Sequence, residues 1–365
     1  MKSYLPARAY WSDEIFTQEQ SYWERQWQFA GFRRDLAQHH DFVTAQIGHR
    51  PVVIQNFHGE LKAFDNVCSH RFSRIQTEPC GNRPLQCRYH GWAYNSAGDP
   101  VGIPQKPRFE GMDSIPAESL RLPAWKVATL GEFVFVARDS NRTDLNSFLS
   151  SSEAELRQIG ESLGRLIDVN RIPIKANWKV VVENTLEAYH VDFVHANNFK
   201  KVLAEQSTFD FHRPHSWWRS PLRDPVVRAM APVGRMMNGR NYQPPGYVHA
   251  FVFPNLTVGT TLGLSFAVQH FIPRGAAETE FVSYVFAAKT ASEDASPSAM
   301  VEAMNDSAVK FNRDVFEEDR VVVEQVQLGI RHAERPGLLS EDEVRIQAFQ
   351  QAYIEHFDFE LPSAI

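Results

Sequence analysis

The spacing of hydrophobic positions changes along the chain, and these changes predict its elements. Between residues 12 and 30, large apolar side chains are interleaved with Glu and Gln, which predicts a helix. From about residue 40 to 140 the apolar runs are short, as at 52–54 and 132–137, and Gly, Asn and Pro separate them. This stretch is therefore predicted to be a compact all-β module.

The rest of the chain mixes strand-like and helical spacing. Residues 247–253, 256–272 and 279–289 carry β-branched and aromatic side chains between Pro and Gly breaks, which predicts antiparallel strands. Residues 296–331 and 341–356 repeat their apolar positions at helical spacing. Strands followed by long helices predict an α+β domain.

Three parts follow from these patterns, and the predicted fold class is α+β. Residues 1–40 are predicted to be a helical segment that packs with the last domain, 41–140 the all-β domain, and 150–365 the α+β domain. A polar stretch from Arg138 to Ser152 is predicted to link the second and third parts.

Composition and charge narrow the functional classes. The 365 residues carry 38 basic and 44 acidic side chains, a formal net charge of −6, which argues against a nucleic-acid binder because such proteins need a concentrated basic surface. No apolar run approaches the ~20 residues of a membrane helix, so no membrane partner is expected. Three cysteines and an amino terminus without a signal-peptide core predict a cytoplasmic protein in a reducing compartment.

Two short motifs inside the β module pair cysteine with histidine. The motifs are Cys68-x-His70 and Cys87-x-x-His90, and 16 residues separate His70 from Cys87. Each motif lies where a predicted strand meets a turn. A zinc site, a Rieske [2Fe–2S] cluster, or buried thiols beside unrelated histidines would each account for these residue types. Zinc fingers group Cys with Cys and His with His, whereas a Rieske cluster binds two Cys on one iron and two His on the other. One Cys and one His in each loop favour the Rieske cluster and leave Cys80 outside the pattern.

A histidine pair in the last domain is the second group of possible metal ligands. His190 and His195 are five residues apart, which on a regular helix is about 140° from a common face. To bind one ion, the helix must loosen into a π-type turn or end between them. Glu187 lies one turn before His190 and could hydrogen-bond its ring, as metal-bound imidazoles commonly require.

A third ligand is expected on the late helix. Its apolar residues step along one face at helical spacing: Met304, Ala308, Phe311, Val315, Val322 and Val326. This face passes over Glu318 or Asp319, so one acidic side chain points inward, where an unpaired carboxylate is costly. Two His and one carboxylate with open positions form the non-haem Fe(II) arrangement used for O2 chemistry. Periodicity does not separate Glu318 from Asp319.

The cluster motifs resemble those of the Rieske non-haem iron oxygenases. The second cluster loop of the ring-hydroxylating type is similar to residues 87–94, CRYHGWAY, and the first loop resembles residues 68–71, CSHR. Phe72 follows where glycine is usual. The resemblance implies an α subunit with an all-β Rieske domain and a helix-grip-type catalytic domain. It implies four cluster ligands: Cys68, His70, Cys87 and His90.

The same resemblance assigns the second metal. It implies that His190, His195 and Asp319 bind a mononuclear Fe(II), and that Glu187 bridges this iron to the Rieske centre of a neighbouring subunit. The bridging residue is Asp in naphthalene dioxygenase-like members, whereas Glu187 within Asn-x-x-Glu-x-Tyr-His is more similar to the carnitine monooxygenase and related quaternary-amine branch. Such a bridge implies a head-to-tail homotrimer.

The implied activity is that of a terminal oxygenase. Electrons from NAD(P)H would arrive through a separate reductase, directly or through a ferredoxin, since no Gly-x-Gly-x-x-Gly motif is evident in the chain. The expected reaction is hydroxylation or oxidative dealkylation of an amine or aromatic acid, with cis-dihydroxylation of an aromatic ring as the alternative. An electron-transfer Rieske protein is a different class, although it would need only about 100 residues.

One stretch of the last domain bears on the substrate. Residues 198–246 are rich in Arg, Pro and Asn and show little periodicity, which is compatible with a lid. Within it, Trp217 and Trp218 could cage a trimethylammonium group by cation–π attraction or could anchor the packing.

Overall fold

The computed structural model describes residues 2–138, 143–204, 206–291 and 297–357. The chain divides into two compact units, one comprising Gln20–Phe148 and the other Met1–Glu19 with Leu149–Ile365. Part of the predicted linker and the first residue of the predicted helix 296–331 lie outside the described residues. The domain limits 1–40, 41–140 and 150–365 stay predictions.

The Gln20–Phe148 unit is built on an antiparallel sheet of seven strands in the order β1-β9-β8-β4-β3-β2-β5, with β6 and β7 forming a separate pair. Its strands are β1 Gln28–Phe32, β2 Asp41–Ile47, β3 Arg50–Phe57, β4 Glu60–Asp65, β5 Cys80–Asn82, β6 Ala93–Tyr94, β7 Pro100–Gly102, β8 Ala124–Leu130 and β9 Phe133–Arg138. The helix predicted over 12–30 is shorter, because α1 runs from Asp13 to Trp23 and the chain then enters β1.

The other unit contains a second antiparallel sheet of seven strands, in the order β10-β16-β15-β14-β13-β12-β11. Its strands are β10 Leu163–Ile174, β11 Thr208–His212, β12 His215–Ser220, β13 Tyr247–Val252, β14 Leu256–Thr261, β15 Ser265–Gly275 and β16 Glu278–Ala288. The helix α2, Leu145–Leu149, belongs to the Gln20–Phe148 unit except for its last residue. The helices that follow it belong to the second unit: α3 Glu153–Ser162, α4 Trp178–Thr185, α5 Val191–Val194, α6 Asp224–Gly234, α7 Ala299–Ile330 and α8 Val344–Phe357.

Register in this sheet places one row of side chains side by side on a single face. The row runs across β12 to β16 through direct cross-strand partners: Trp218, His249, Gly259, Ala267 and Val285. Direct partners in antiparallel strands point to the same face, so two large side chains are followed by two small ones. The small residues leave room above the middle of the sheet.

The buried side of α7 differs from the predicted apolar face. Val315 is buried as predicted, whereas Val326 is 45% exposed. The buried positions of α7 include polar residues: Val301, Asn305, Asn312, Val315, Phe316, Asp319, Val323 and Gln327. Two of them form hydrogen bonds across the core, since Asn312 accepts from Ser283 and Gln327 accepts from the backbone of Asn177, both at 2.8 Å. Apolar spacing therefore locates the helix and an inward-facing side of it, since Met304, Ala308, Phe311 and Val315 are buried or half-buried, but it does not predict the polar residues buried next to them.

Residues 198–246 are more regular than the predicted lid. Strands β11 and β12 pair with each other, and β12 continues the main sheet through β13. On β12, the indole of Trp217 is buried and donates to Ser152 Oγ at 3.0 Å, which makes it a packing anchor. No helix among the described residues is both long and apolar enough to span a bilayer.

Candidate metal centres and substrate cavity

The structure brings the two Cys–His motifs of the β domain together. The thiols of Cys68 and Cys87 are both 2% exposed, and they interact with each other. The rings of His70 and His90 lie 4.6 Å apart between centroids. Burial raises the pKa of the Cys68 thiol, so a thiolate here needs a positive partner.

The chemistry of this donor set fits a Rieske cluster. Within the described part of the chain, no hydrogen-bond partner contacts the buried Nδ1 of His70. An unpartnered imidazole nitrogen beside two buried thiols is what a metal cluster would satisfy. The ring of His70 is held in place by stacking on Trp92 at 5.2 Å, with an angle of 6° between the planes. Cys80, by contrast, is exposed on β5.

The three residues predicted to bind the mononuclear iron also converge. One ligand atom from each of His190, His195 and Asp319 lies within 4.8 Å of the others. Asp319 Oδ1 is 3.0 Å from His195 Nε2 and 3.5 Å from His190 Nε2. His195 is 1% exposed and Asp319 is 8% exposed, so the carboxylate is the inward-pointing acid that the helix pattern required. Two Nε2 atoms facing one carboxylate fit a facial Fe(II) site.

The helix ends between the two histidines, which is one of the two predicted alternatives, because α5 runs from Val191 to Val194 and His195 follows it. The α-type bonds Val194 N to His190 O and His195 N to Val191 O close the short helix α5. His195 then leaves helical geometry, with φ −105° and ψ 32°, and its ring reaches the same point as that of His190.

A carboxylate holds the outer nitrogen of each histidine. Glu187 Oε1 contacts His190 Nδ1, as the sequence predicted. Glu318 Oε2 lies 2.7 Å from His195 Nδ1, and Asn198 Nδ2 donates to both Glu318 oxygens at 3.2 Å. Each carboxylate favours a proton on Nδ1 and leaves the lone pair of Nε2 for a metal.

The pKa of His195 reflects the carboxylates of Asp319 and Glu318, which contact its ring. Burial lowers the pKa of His195, but the hydrogen bonds and charges of Asp319 and Glu318 outweigh it and raise the pKa above its ordinary value. The negative charges of Asp319 and Glu318 therefore favour a positive charge beside this ring, which a divalent metal ion would supply. The residues present fit a divalent iron.

A cavity of about 270 Å³ opens beside the three predicted ligands, and its surface is mainly apolar. Aromatic rings from several elements form part of its wall: Phe199, Trp218, Tyr247 and Phe311. Its floor includes Gly259 and Ala267, the small residues of the sheet row. A small organic molecule could therefore lie next to the metal site, against a mainly apolar wall.

Family models match both domains. A model of the Rieske [2Fe-2S] domain matches residues 26–126. A model described as ring hydroxylating alpha subunit (catalytic domain) matches residues 161–358, more than half of the chain. This chain belongs to the ring hydroxylating alpha subunit family. The family resemblance and the α+β fold predicted from the sequence are both confirmed.

Individual relatives of this α subunit act on different substrates. Choline monooxygenase from Beta vulgaris is 25% identical over 313 residues, 83% of this chain and 65% of that protein. The anthranilate 1,2-dioxygenase large subunit from Acinetobacter baylyi is 31% identical over 191 residues, 50% of this chain and 40% of that protein. The matched regions thus span less than two thirds of either relative.

A solved structure shares the fold of the α subunit. The crystal structure of the quaternary ammonium Rieske monooxygenase CntA with L-carnitine superposes with a TM-score of 0.78 at 22% identity. The match covers 97% of this chain and 94% of that one. It shows a common architecture through both domains.

Sequence reasoning missed several residues around the site of this α subunit. Glu318 was considered only as an alternative ligand to Asp319, and it instead contacts the ring of His195. His249 and Tyr247, both on β13, line the cavity without belonging to any motif. Trp218 also lines the cavity, so the two adjacent tryptophans differ in position. The available signal was the alternation along β13, which places residues 247 and 249 on one face.

Proposed function

We propose that this α subunit is the terminal oxygenase of a Rieske system that hydroxylates or oxidatively dealkylates a small organic substrate. The convergence of His190, His195 and Asp319 beside a mainly apolar cavity carries the proposal. When bound, the mononuclear Fe(II) supplies O2 activation, and the Rieske cluster supplies single electrons. NAD(P)H is the electron source, through a partner reductase with or without a ferredoxin.

The side chains of the β domain have one task in this proposal, which is to hold the cluster. Cys68 and Cys87 are the thiolate ligands and His70 and His90 the imidazole ligands. The buried thiols and the unpartnered Nδ1 of His70 support this assignment. An electron-transfer protein alone would need these four residues but not the catalytic domain.

The side chains of the catalytic domain hold the second metal and shield it. His190 and His195 are proposed to donate their Nε2 lone pairs, and Asp319 its carboxylate. Glu187 and Glu318 keep the protons on the two Nδ1 atoms and so fix the ring orientations. The aromatic wall keeps water from the substrate.

We further propose that Glu187 bridges the mononuclear site to the Rieske centre of a neighbouring subunit in a head-to-tail homotrimer. In support, Glu187 and His190 line two cavities, the substrate cavity and a second one of about 960 Å³. The second cavity therefore gives access to Glu187 from a side other than that of the substrate cavity.

The substrate is proposed to be an amine or an aromatic acid. Choline monooxygenase and the CntA structure support an amine, and the anthranilate dioxygenase subunit supports an aromatic acid and, as a second candidate reaction, cis-dihydroxylation of the ring. A panel of both classes, incubated with the holoenzyme, a generic reductase, NADH and ¹⁸O2, tests the proposal by product mass. One incorporated ¹⁸O atom indicates hydroxylation and two indicate dihydroxylation. Oxidative dealkylation is recognised by loss of the alkyl mass from the substrate and release of the corresponding aldehyde, which carries the inserted oxygen. No substrate-dependent O2 consumption across the panel would contradict an oxygenase.

A further inference from the structure

A buried arginine lies behind the substrate cavity. Arg345 extends from α8 and is 1% exposed. Its Nε donates to Ser216 Oγ at 3.1 Å, and its Nη2 donates to the carbonyl oxygens of Ser216 and His249 at 3.3 and 3.4 Å. Its Nη1 lies 3.3 Å from His249 Nδ1. Within the described ranges of the chain these hydrogen-bond acceptors are all neutral.

This environment is unusual for a buried cation. Buried charges generally have an opposite charge nearby, because transfer of an ion from water is costly. Burial lowers the pKa of Arg345 to about 9, so the side chain remains a cation at neutral pH. Arg345 therefore places an electrostatic potential of positive sign behind β12 and β13.

Arg345 also fixes the hydrogen-bonding role of His249. A guanidinium has only donors, so the His249 Nδ1 that faces it must be an acceptor. Burial and the charge of Arg345 keep the pKa of His249 well below its ordinary value, and the ring is neutral. A neutral imidazole that accepts at Nδ1 carries its hydrogen on Nε2. His249 lines the substrate cavity, so it is a pre-oriented N–H donor in the cavity wall.

The neighbouring residue of the sheet row also has an unpartnered N–H group. Trp218 is the direct cross-strand partner of His249, and their rings lie 6.4 Å apart. The indole N–H of Trp218 is buried, and in the part of the chain that the structure describes it has no acceptor. The acidic residues of the cavity wall, Glu187 and Asp319, are instead engaged with the metal-site histidines.

We propose that His249, positioned by Arg345, is a specificity residue that binds a carboxylate group of the substrate through Nε2–H. This inference rests on the proposed function and refines its substrate class to organic acids. A carboxylate next to His249 would gain a hydrogen bond and the field of Arg345. A quaternary ammonium group at the same position would offer no acceptor and would face a like charge. An amine elsewhere on the substrate is compatible with this site.

The experiment measures binding rather than turnover. The iron-loaded holoenzyme, without reductant, is titrated calorimetrically with benzoate and with two probes of similar size, benzamide and benzyltrimethylammonium. Benzoate should bind about 10- to 100-fold more tightly than benzamide, as expected for a charge-assisted hydrogen bond. In His249→Phe the two probes should bind with about equal affinity. In His249→Gln, which keeps an N–H donor, part of the preference for benzoate should remain.

The positioning role of Arg345 has its own readout. In Arg345→Met the benzoate-to-benzamide ratio should fall at least tenfold, whereas a merely structural role would weaken both probes equally. If that variant does not fold, the two His249 variants decide the question. Equal binding of benzoate and benzamide by the wild-type holoenzyme, no benzoate binding at millimolar concentration, or an unchanged ratio in His249→Phe would each overturn the inference.

The two proposals fail in different ways. A His249-dependent preference for benzoate without O2-dependent product from any substrate would support the carboxylate site and contradict the oxygenase proposal. Oxygenation of a quaternary amine without any carboxylate preference would overturn the carboxylate site alone.

Discussion

Glu318 Oε2 lies 2.7 Å from His195 Nδ1, on the ring edge opposite the nitrogen that faces Asp319. The side chain of Glu318 is 36% exposed, so it reaches the buried ring from the solvent side. Carboxylates in this position orient metal-bound imidazoles and raise their basicity. The pair Glu318–His195 therefore repeats, on the second histidine, what Glu187 does on His190.

The first prediction concerns iron affinity. Glu318→Ala should weaken binding of the mononuclear iron by about 10- to 100-fold, because His195 loses the partner that fixes its tautomer and orientation. Iron retention against a chelator, measured separately from the cluster content, checks this. Glu317→Ala is the matched control, since the adjacent Glu317 is exposed and pairs with Arg320. Equal retention of iron in both variants would contradict the role of Glu318.

The second prediction concerns the proposed bridge. Glu187→Gln should leave iron and acid-labile sulfide contents unchanged, because Glu187 is not proposed as a ligand of either metal and glutamine keeps a side-chain oxygen that can accept from His190 Nδ1. Turnover should nevertheless slow severely, since the charged link between two subunits is removed. Product formed per O2 consumed, together with metal analysis, checks the prediction. Near-normal coupled turnover would exclude the bridging role.

The third prediction separates the three thiols. Cys80 is exposed on β5, so Cys80→Ser should retain the full acid-labile sulfide content and the Rieske electron paramagnetic resonance signal. Cys68→Ser or Cys87→Ser should lose both, because each removes a proposed iron ligand buried in the domain core. A sulfide content in Cys68→Ser equal to that of wild type would rule out the assigned ligand set.

The fourth prediction concerns backbone strain at Phe72, which follows the first Cys–His motif. Phe72 has φ 59°, in the left-handed region, and is 78% exposed. A non-glycine residue there costs about 1–2 kcal/mol, whereas glycine costs about 0.5–1 kcal/mol of backbone entropy. Phe72→Gly should therefore stabilise the domain by roughly 0.5–1 kcal/mol without cluster loss.

The control for Phe72 keeps the strain and removes the ring. Phe72→Ala should bring no stabilisation, because alanine is disfavoured at positive φ as well. The melting temperature of the holoprotein, followed by loss of cluster absorption, compares the two variants. An equal gain in both would mean that the exposed ring, rather than the backbone, is the source.

The sequence predicts most reliably those features that depend on the residue pattern within one helix or strand. Strands β13 and β16 are each predicted by one β-branched run, whereas the predicted run 256–272 contains both β14 and most of β15, with a turn between them. Asp319 is one of the two acids that the helix pattern offers as inward-pointing. Strands β11 and β12 were missed because they are only five and six residues long, and in β12 His, Ser and Arg surround the two tryptophans. Their pairing with β13 stabilises them, and pairing is not visible in local composition.

The contacts between side chains of distant elements could not be predicted from the sequence for a different reason. Glu318 and His195 are 123 residues apart, and Arg345 and His249 are 96 residues apart. Each pair joins two elements whose approach depends on packing of the whole catalytic domain. Periodicity reports which face of an element is buried, but not which residue of another element it meets.

The last prediction concerns pH and stability through Glu183 on α4. Burial raises the pKa of its carboxyl to about 7, against hydrogen bonds from Gln350 and Tyr10 that lower it. The unfolded chain loses this proton near the ordinary value of 4.5, whereas the folded chain keeps it to about pH 7. The folded state thus binds more protons in this window, and its stability falls as pH rises through it, by at most about 3 kcal/mol.

Glu183→Gln mimics the protonated carboxyl and should remove this dependence. Relative to wild type, the variant should gain stability at about pH 8 and gain little at about pH 5, since only the charged form of Glu183 is disfavoured by burial. Melting temperatures at both pH values check the difference. Glu334→Gln is the control, because Glu334 is exposed on the wall of the same second cavity. If Glu334→Gln raises the melting temperature at pH 8 as much as Glu183→Gln does, the change in net charge would explain the gain. If Glu183→Gln raises the melting temperature equally at both pH values, a raised pKa of Glu183 would be contradicted.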